Sequence, residues 1–276
     1  MWILVVIVIL AAVVVFLKLP YSKLLSEFRG TVDSRISSTN KQADVFAEKD
    51  LEGLPLPVQK YFRFCGWLGA PKMSYMKAYL TEVDFKMSEK RTIKIDYVQY
   101  NFVEKPDRFA FIKSSMFGVP FEGFDSYNSG IGSMKGVFAK VIPLFDQRGT
   151  DMNKSCLVTI LAECLLVPNV VLQDYIEWEE IDDTHVKATI SYYGISGSGV
   201  FTFDENGAVL SFKTSDRTAT DMNGSIREAE WSAVYSDYEN VNGIKQPKVL
   251  KSIWHYPEGD SVYFNENEVG VVIEYY

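Results

Sequence analysis

Ser155, Thr159 and Glu163 recur every four residues where the chain enters the run LVTILAECLLVPNVVL, Leu157 to Leu172. On a helix that spacing lines them up as one narrow polar stripe. A helix with so thin a polar face is mostly enclosed. The Glu163 carboxylate therefore lies at a rim or in a cavity, where it needs a cation or hydrogen-bond donors. Two chemistries follow. With a shifted pKa and a reacting partner, Glu163 could serve as a general acid or base. Without them it is an ion-pair lock or a polar contact at the mouth of an apolar ligand site. Asp125, set among Phe121, Phe124 and Tyr127, is a second carboxylate of the same kind. Arg217, after Asp216 at the end of the strand pattern VLSFKTSDR, is the cation expected to meet Glu163, with tyrosine hydroxyls of the sheet as alternatives. Tyr127, Trp178 and Trp231 complete the residues expected to line a ligand site. The run itself is too short to cross a membrane, because Pro168 interrupts it.

Other chemistry finds little support. His185 and His255 lie apart in strand patterns, and a zinc site would need a denser cluster of His and Cys. GISGSG (194–199) misses the G-x-S-x-G spacing and precedes a strand, whereas a nucleophile elbow opens a helix. GIGSMKG (130–136) misses the dinucleotide fingerprint and is not set in a βαβ unit. Both read as glycine-permitted bends in a curved sheet. Cys65, Cys156 and Cys164 form no CxxC, and Cys156 and Cys164 would lie about two helical turns apart, beyond disulfide reach. They read as small buried hydrophobes. No metal and no cofactor is expected.

The elements that must position these residues are mostly strands. Aromatics make up 14% of the chain, and wide rings pack well on a pleated surface. In TIKIDYVQYNF the alternation changes sides near Val98, which calls for a bulge or for a strand covered on both faces. After Asp174 the chain reads as short alternating runs joined by Glu205-Asn206-Gly207, Asn242-Gly243 and Glu258-Gly259-Asp260, as in an antiparallel meander. About eleven strands are expected. LPLPVQKYFRFCG reads as a helix, with Pro57 in its first turn and Gly66 closing it. A net charge of −8 repels phosphate backbones, so nucleic acid is not an expected partner.

Trp2 to Leu17 is apolar without a charge and, with its neighbours, reaches the lower limit for a transmembrane helix. A signal peptide would want a basic segment before the run and a small-x-small cleavage site, and neither is present. A single-pass anchor is expected. Lys18, Lys23, Arg29 and Arg35 follow the span and lean toward a cytoplasmic domain, but large domains translocate despite such charge, so the side stays open. Residues 1–19 are expected as the anchor, 20–52 as a polar tether, and 53–276 as one β-rich domain.

Over about residues 53–275 the order of motifs resembles a prokaryotic family of unknown function. The matching stretches are LPLPVQKYFRFCG, FEGFDSYNSGIGSMKG, LAECLLVPNVVL, IEWEEID, FTFDENGAVLSFKTSDR, EWSAVYSDYENVNGIKQP and the terminal WHYPEG to YFNENEVGVVIEY. The resemblance implies motif positions at Glu163, Pro168, Asp216 and Arg217, and no known activity. Cys164 to Val167 depart from it, since an aromatic is usual before the proline. At the level of architecture the chain also looks like the half-barrels of envelope lipid carriers.

The fold expected is a large antiparallel sheet curled into a half-barrel, with a Cys156–Val167 helix on its concave face and a transmembrane helix at the N-terminus. The function expected is a membrane-anchored binding module for a lipid or other apolar ligand. An enzyme using Glu163 or Asp125, and a structural or interaction protein of the envelope, are the alternatives.

Overall fold

The N-terminal residues form α1 (Trp2–Lys18), of which none is buried. The structure, a computed structural model, describes residues 1–88, 91–220, 225–266 and 269–276. The apolar stretch beginning at Trp2 is long and apolar enough to cross a membrane, a test that a signal sequence also passes. α2 (Lys23–Ser37) follows, and α3 (Leu56–Cys65) precedes the first strand. As expected, Pro57 lies in the first turn of α3, and Gly66 ends it with a left-handed φ of 83°.

Six strands come next: β1 (Tyr75–Ser88), β2 (Arg91–Phe102), β3 (Arg108–Met116), β4 (Val119–Asn128), β5 (Ile131–Phe138) and β6 (Ile142–Gln147). α4 (Thr150–Glu163), a 3-10 turn (Cys164–Leu166) and α5 (Pro168–Val171) cross over to the second half. That half holds β7 (Ile176–Glu180), β8 (His185–Tyr192), β9 (Ile195–Phe203), β10 (Val209–Thr214), the small ribbon β11 (Ala219–Thr220) and β12 (Ile226–Arg227), then β13 (Glu230–Val241), β14 (Ile244–Tyr256), β15 (Gly259–Glu266) and β16 (Val272–Tyr275). The helix expected over Cys156–Val167 thus starts a turn and a half earlier and tightens before Pro168.

The main sheet has fourteen strands, in the order β6-β5-β4-β3-β2-β1-β15-β14-β13-β10-β9-β8-β7, with β16 also paired to β1. Two antiparallel halves meet where β1 pairs with β15 and β16. Asn242 and Gly243 both take positive φ in the β13–β14 turn, as their types demand.

The curl of the sheet follows from α4, which touches both β5 and β9. These strands are nine steps apart in the sheet order, and laid flat they would be about 43 Å apart, while a helix is only about 10 Å wide. The sheet must therefore wrap around α4. Gly132 and Gly197 make the close contact possible. A Cβ at Gly132 would lie 2.6 Å from the Met152 carbonyl oxygen, and one at Gly197 would lie 2.3 Å from Val158 Cγ2. One glycine in each of β5 and β9 thus seats the helix, while Gly136 and Gly199 lie against Phe145 and Phe212.

The outer face is covered as well. Residues 20–52, expected as a polar tether, contain α2 docked on the sheet. Leu24, Phe28 and Val32 are buried with Phe102, Phe109, Phe111 and Phe124. Ser22 caps the helix by accepting from the Leu25 N–H at 3.0 Å. Arg35 pairs with the buried Asp107 at 2.7 Å. The change of side in β2 has the second of its two explanations, since Val98, Tyr100 and Phe102 pack under α2 while Tyr97, Gln99 and Asn101 face inward. A register shift also occurs, but on β1, between Leu80 and Val83.

Candidate functional site

The inner face of β2 and β3 carries a polar cluster beneath the end of α4. Strand alternation places Gln99 and Asn101 of β2 and Arg108 of β3 on the inner face, and Asp125 stands opposite Ala110 on β4. Glu163, the last residue of α4, reaches down to them. Gln99 Nε2, Asn101 Nδ2 and Arg108 Nε donate to Glu163 Oε2 at 2.8, 2.7 and 2.8 Å, and Arg108 Nη2 donates to Oε1 at 3.1 Å. Arg108 Nη1 donates to Asp125 Oδ2 at 2.6 Å, and Nη2 also reaches the Tyr97 hydroxyl at 2.7 Å and Gln99 Oε1 at 3.0 Å.

Arg108 is thus a buried cation between two carboxylates, its side chain 6% exposed. Burial opposes its charge, but Glu163, Tyr97 and Asp125 together hold its pKa well above the ordinary arginine value. Burial pushes the Tyr97 phenol up, so it stays protonated beside the pair. Every oxygen of Glu163 accepts from the sheet. That is the geometry of a lock, in which both carboxylate oxygens are tied to the sheet.

The stripe foreseen on α4 is used along its length. Ser155 Oγ accepts from the Thr218 N–H at 3.0 Å, Thr159 Oγ1 bonds back to the Ser155 carbonyl at 2.8 Å, and Glu163 takes the cluster. The partner of Glu163 is Arg108, however, and neither Arg217 nor a tyrosine. Tyr97 bonds Arg108 instead. Arg217 lies over the Trp231 ring at 4.1 Å and the Trp254 ring at 5.5 Å, with Nη1 3.4 Å from the Tyr263 hydroxyl. Its Nε is buried without a partner among the described residues. Trp231 Nε1 donates to the same Tyr263 hydroxyl at 3.1 Å. Asp216 goes its own way, to Lys154 at 2.5 Å and the Ser198 N–H at 2.8 Å.

The six residues singled out from the sequence therefore fall into three places. Glu163 and Asp125 share the Arg108 cluster. Tyr127, buried and with its hydroxyl unpartnered among the described residues, pairs across from Arg108 on β4. Arg217 and Trp231 form an aromatic-backed cation on the other half of the sheet. Trp178 stands apart, in a groove of about 470 Å³ walled by Gln42, Asp50, Lys72, Asn169 and Gln173. Glu163, Asp125 and Arg217 do not line that groove.

Arg108, Gln99 and Asn101 were missed. The signal was there: Arg108 alternates with Ala110 and Ile112, so an inward strand position carries a cation that must find a carboxylate. Among the described residues no group of three His, Cys, Asp or Glu side chains is arranged to hold a metal.

Fold and site together define an open antiparallel half-barrel wrapped on a central helix, locked by one buried arginine and preceded by an apolar helix. Residues 44–266 match a family of unknown function, DUF6544, and the chain belongs to that family. No curated protein matches the sequence. Among solved structures the chain is similar to a LolA superfamily protein from Nitrosomonas europaea, at 10% identity and a TM-score of 0.39, over 82% of this chain and 94% of that one.

Proposed function

We propose that the protein is a single-pass, membrane-anchored module that holds a lipid or other apolar ligand at the half-open end of its concave face. One observation carries the reading: the burial of the inner face fades along the strands. At the end covered by α4 and α5, Met76, Ala78, Leu80 and Ile95 are closed in. Toward the other end Phe85, Ile93, Met116, Trp254 and Tyr263 are only half-buried. Such a wall of aromatic and aliphatic side chains with a few polar groups suits an apolar ligand. Arg217, held over the rings of Trp231 and Trp254 with an Nε that has no partner among the described residues, would meet an anionic or polar head.

The enzyme alternative is less well supported. The carboxylates it would use are both paired with Arg108, Glu163 also accepts from Gln99 and Asn101, and neither lines the described groove. The test is lipid occupancy and affinity. The full chain is extracted gently, and its bound molecules are read by native mass spectrometry and organic extraction. Brominated fatty acid is then titrated against tryptophan fluorescence. The reading expects a retained amphiphile and saturable quenching that Trp254→Phe reduces. A chain that carries no amphiphile and shows no saturable quenching would overturn it.

A further inference from the structure

We propose that two hairpin tips, Phe117 of the β3–β4 turn and Val141 of the β5–β6 turn with Ile142 at the start of β6, sink into the surface of the bilayer beside α1. The half-open concave end is thereby set facing lipid. The inference rests on the reading of α1 as a membrane span.

Both turns lie at one end of the sheet. β4 begins at Val119, paired with Met116 across the first turn, and its Phe121 pairs with Phe138 beside the second. The half-buried inner wall of Phe85, Ile93 and Met116 lies at this same end, since Ser114 pairs with Ile95 and with Phe121. The apolar helix is pinned here too. Lys140, in the β5–β6 turn, donates to the carbonyls of Phe16 at 3.4 Å and Tyr21 at 3.3 Å, and to that of Leu19. A lysine at the C-terminal carbonyls of a helix satisfies orphan acceptors and complements the dipole. It is buried at 8% although it sits in a hairpin turn.

The residues at the tips are the wrong ones for water. Phe117 is 91% exposed, Val141 64% and Ile142 50%. Phe117 and Gly118 both take positive φ, at 56° and 77°. Turns of that kind favour Asn, Asp or Gly, and a bulky aromatic with φ above zero is disfavoured. Ala139 and Lys140 repeat the pattern at 51° and 67°. Neither turn chemistry nor solubility selects phenylalanine at such a tip. Contact with an apolar phase does, and interfacial membrane segments bury just such side chains. The cations nearby fit the same depth. Arg91 lies over the Phe117 ring at 4.8 Å, and Lys18 ends α1, both placed where long basic side chains reach headgroups.

The experiment uses the full chain in vesicles of phosphatidylcholine and phosphatidylglycerol. Cys65, Cys156 and Cys164 are buried, so a thiol-reactive fluorophore goes to an introduced site. Phe117→Cys and Ile142→Cys report the tips, and each is read independently. Tyr193→Cys, in the β8–β9 turn and 55% exposed, reports a distant surface. The proposal expects blue-shifted emission at 117 and 142, severalfold stronger quenching by doxyl-labelled lipid than at 193, and protection from aqueous iodide. Flotation after an alkaline wash reads the anchor in the same samples. Vesicles that carry the protein while the tip labels behave like the one at 193 would overturn the inference and leave the anchor standing. Protein that fails to float would overturn both.

Discussion

Arg108 is the residue on which the inner face turns. It makes its contacts to Glu163, Asp125, Tyr97 and Gln99 from a site almost closed to water. Removing one partner of a buried pair leaves an uncompensated charge, so Glu163→Ala should cost about 3 kcal/mol, read as a lowered denaturant midpoint. An unchanged midpoint would mean that the carboxylate is merely solvated. The buried thiols make a second residue-scale prediction. Burial pushes Cys65 from 9.0 up to about 12. The folded state then keeps a proton that the unfolded state releases. The contribution is whole below pH 9.0 and is lost as pH rises toward 12, by roughly 1.4 kcal/mol per pH unit for one such thiol. Urea melts from pH 8 upward should show falling midpoints, with a shallower fall in Cys65→Ala.

Adjacent residues Asp107 and Arg108 fasten one helix to each face of the sheet. Asp107 takes Arg35 of α2 on the outside, and Arg108 takes Glu163 of α4 on the inside. α2 is therefore part of the fold. Phe28 packs against Phe111 and Phe124 with ring centroids 5.4 and 5.5 Å apart. Phe28→Ala should destabilise the protein by about 3–5 kcal/mol. If α2 were a loose tether, the variant would melt like the parent, and that result would remove α2 from the folded unit.

At the scale of the whole molecule, the apolar helix is held to the domain at its C-terminal carbonyls, where Lys140 donates. No residue of α1 is buried, whereas α2 begins only at Lys23 and carries its own Ser22 cap. Deleting residues 1–20 should therefore give a soluble chain with the same β circular dichroism and a single cooperative transition. Insolubility together with loss of that signal would show that α1 is needed for folding. The same truncation should lose its affinity for vesicles if α1 is the anchor.

The sequence alone was enough for whatever depends on neighbours along the chain. Pro57 and Gly66 mark the ends of α3, Asn242-Gly243 marks a hairpin, and Ser155, Thr159 and Glu163 mark a polar stripe. Each follows from backbone sterics or from helical period, which act over a few residues. The antiparallel sheet and its helix were legible for the same reason. The cover on the outer face was harder to see, although Leu24, Phe28 and Val32 at spacings of four behind the Ser22 cap carried the signal; a mostly polar surround hid it. What meets Glu163 was only half legible: the alternation of Arg108 with Ala110 and Ile112 marks an inward cation, but not which carboxylate it reaches. Arg108 lies 55 residues away, and its approach depends on the register of β2 against β3 and on the curl of the sheet around α4. Arg217 was as good a partner by type, but in the fold it rests on Trp231 and Trp254 instead. Pairing between distant segments is set by which strands adjoin and how far the sheet closes, and only the tertiary structure decides that.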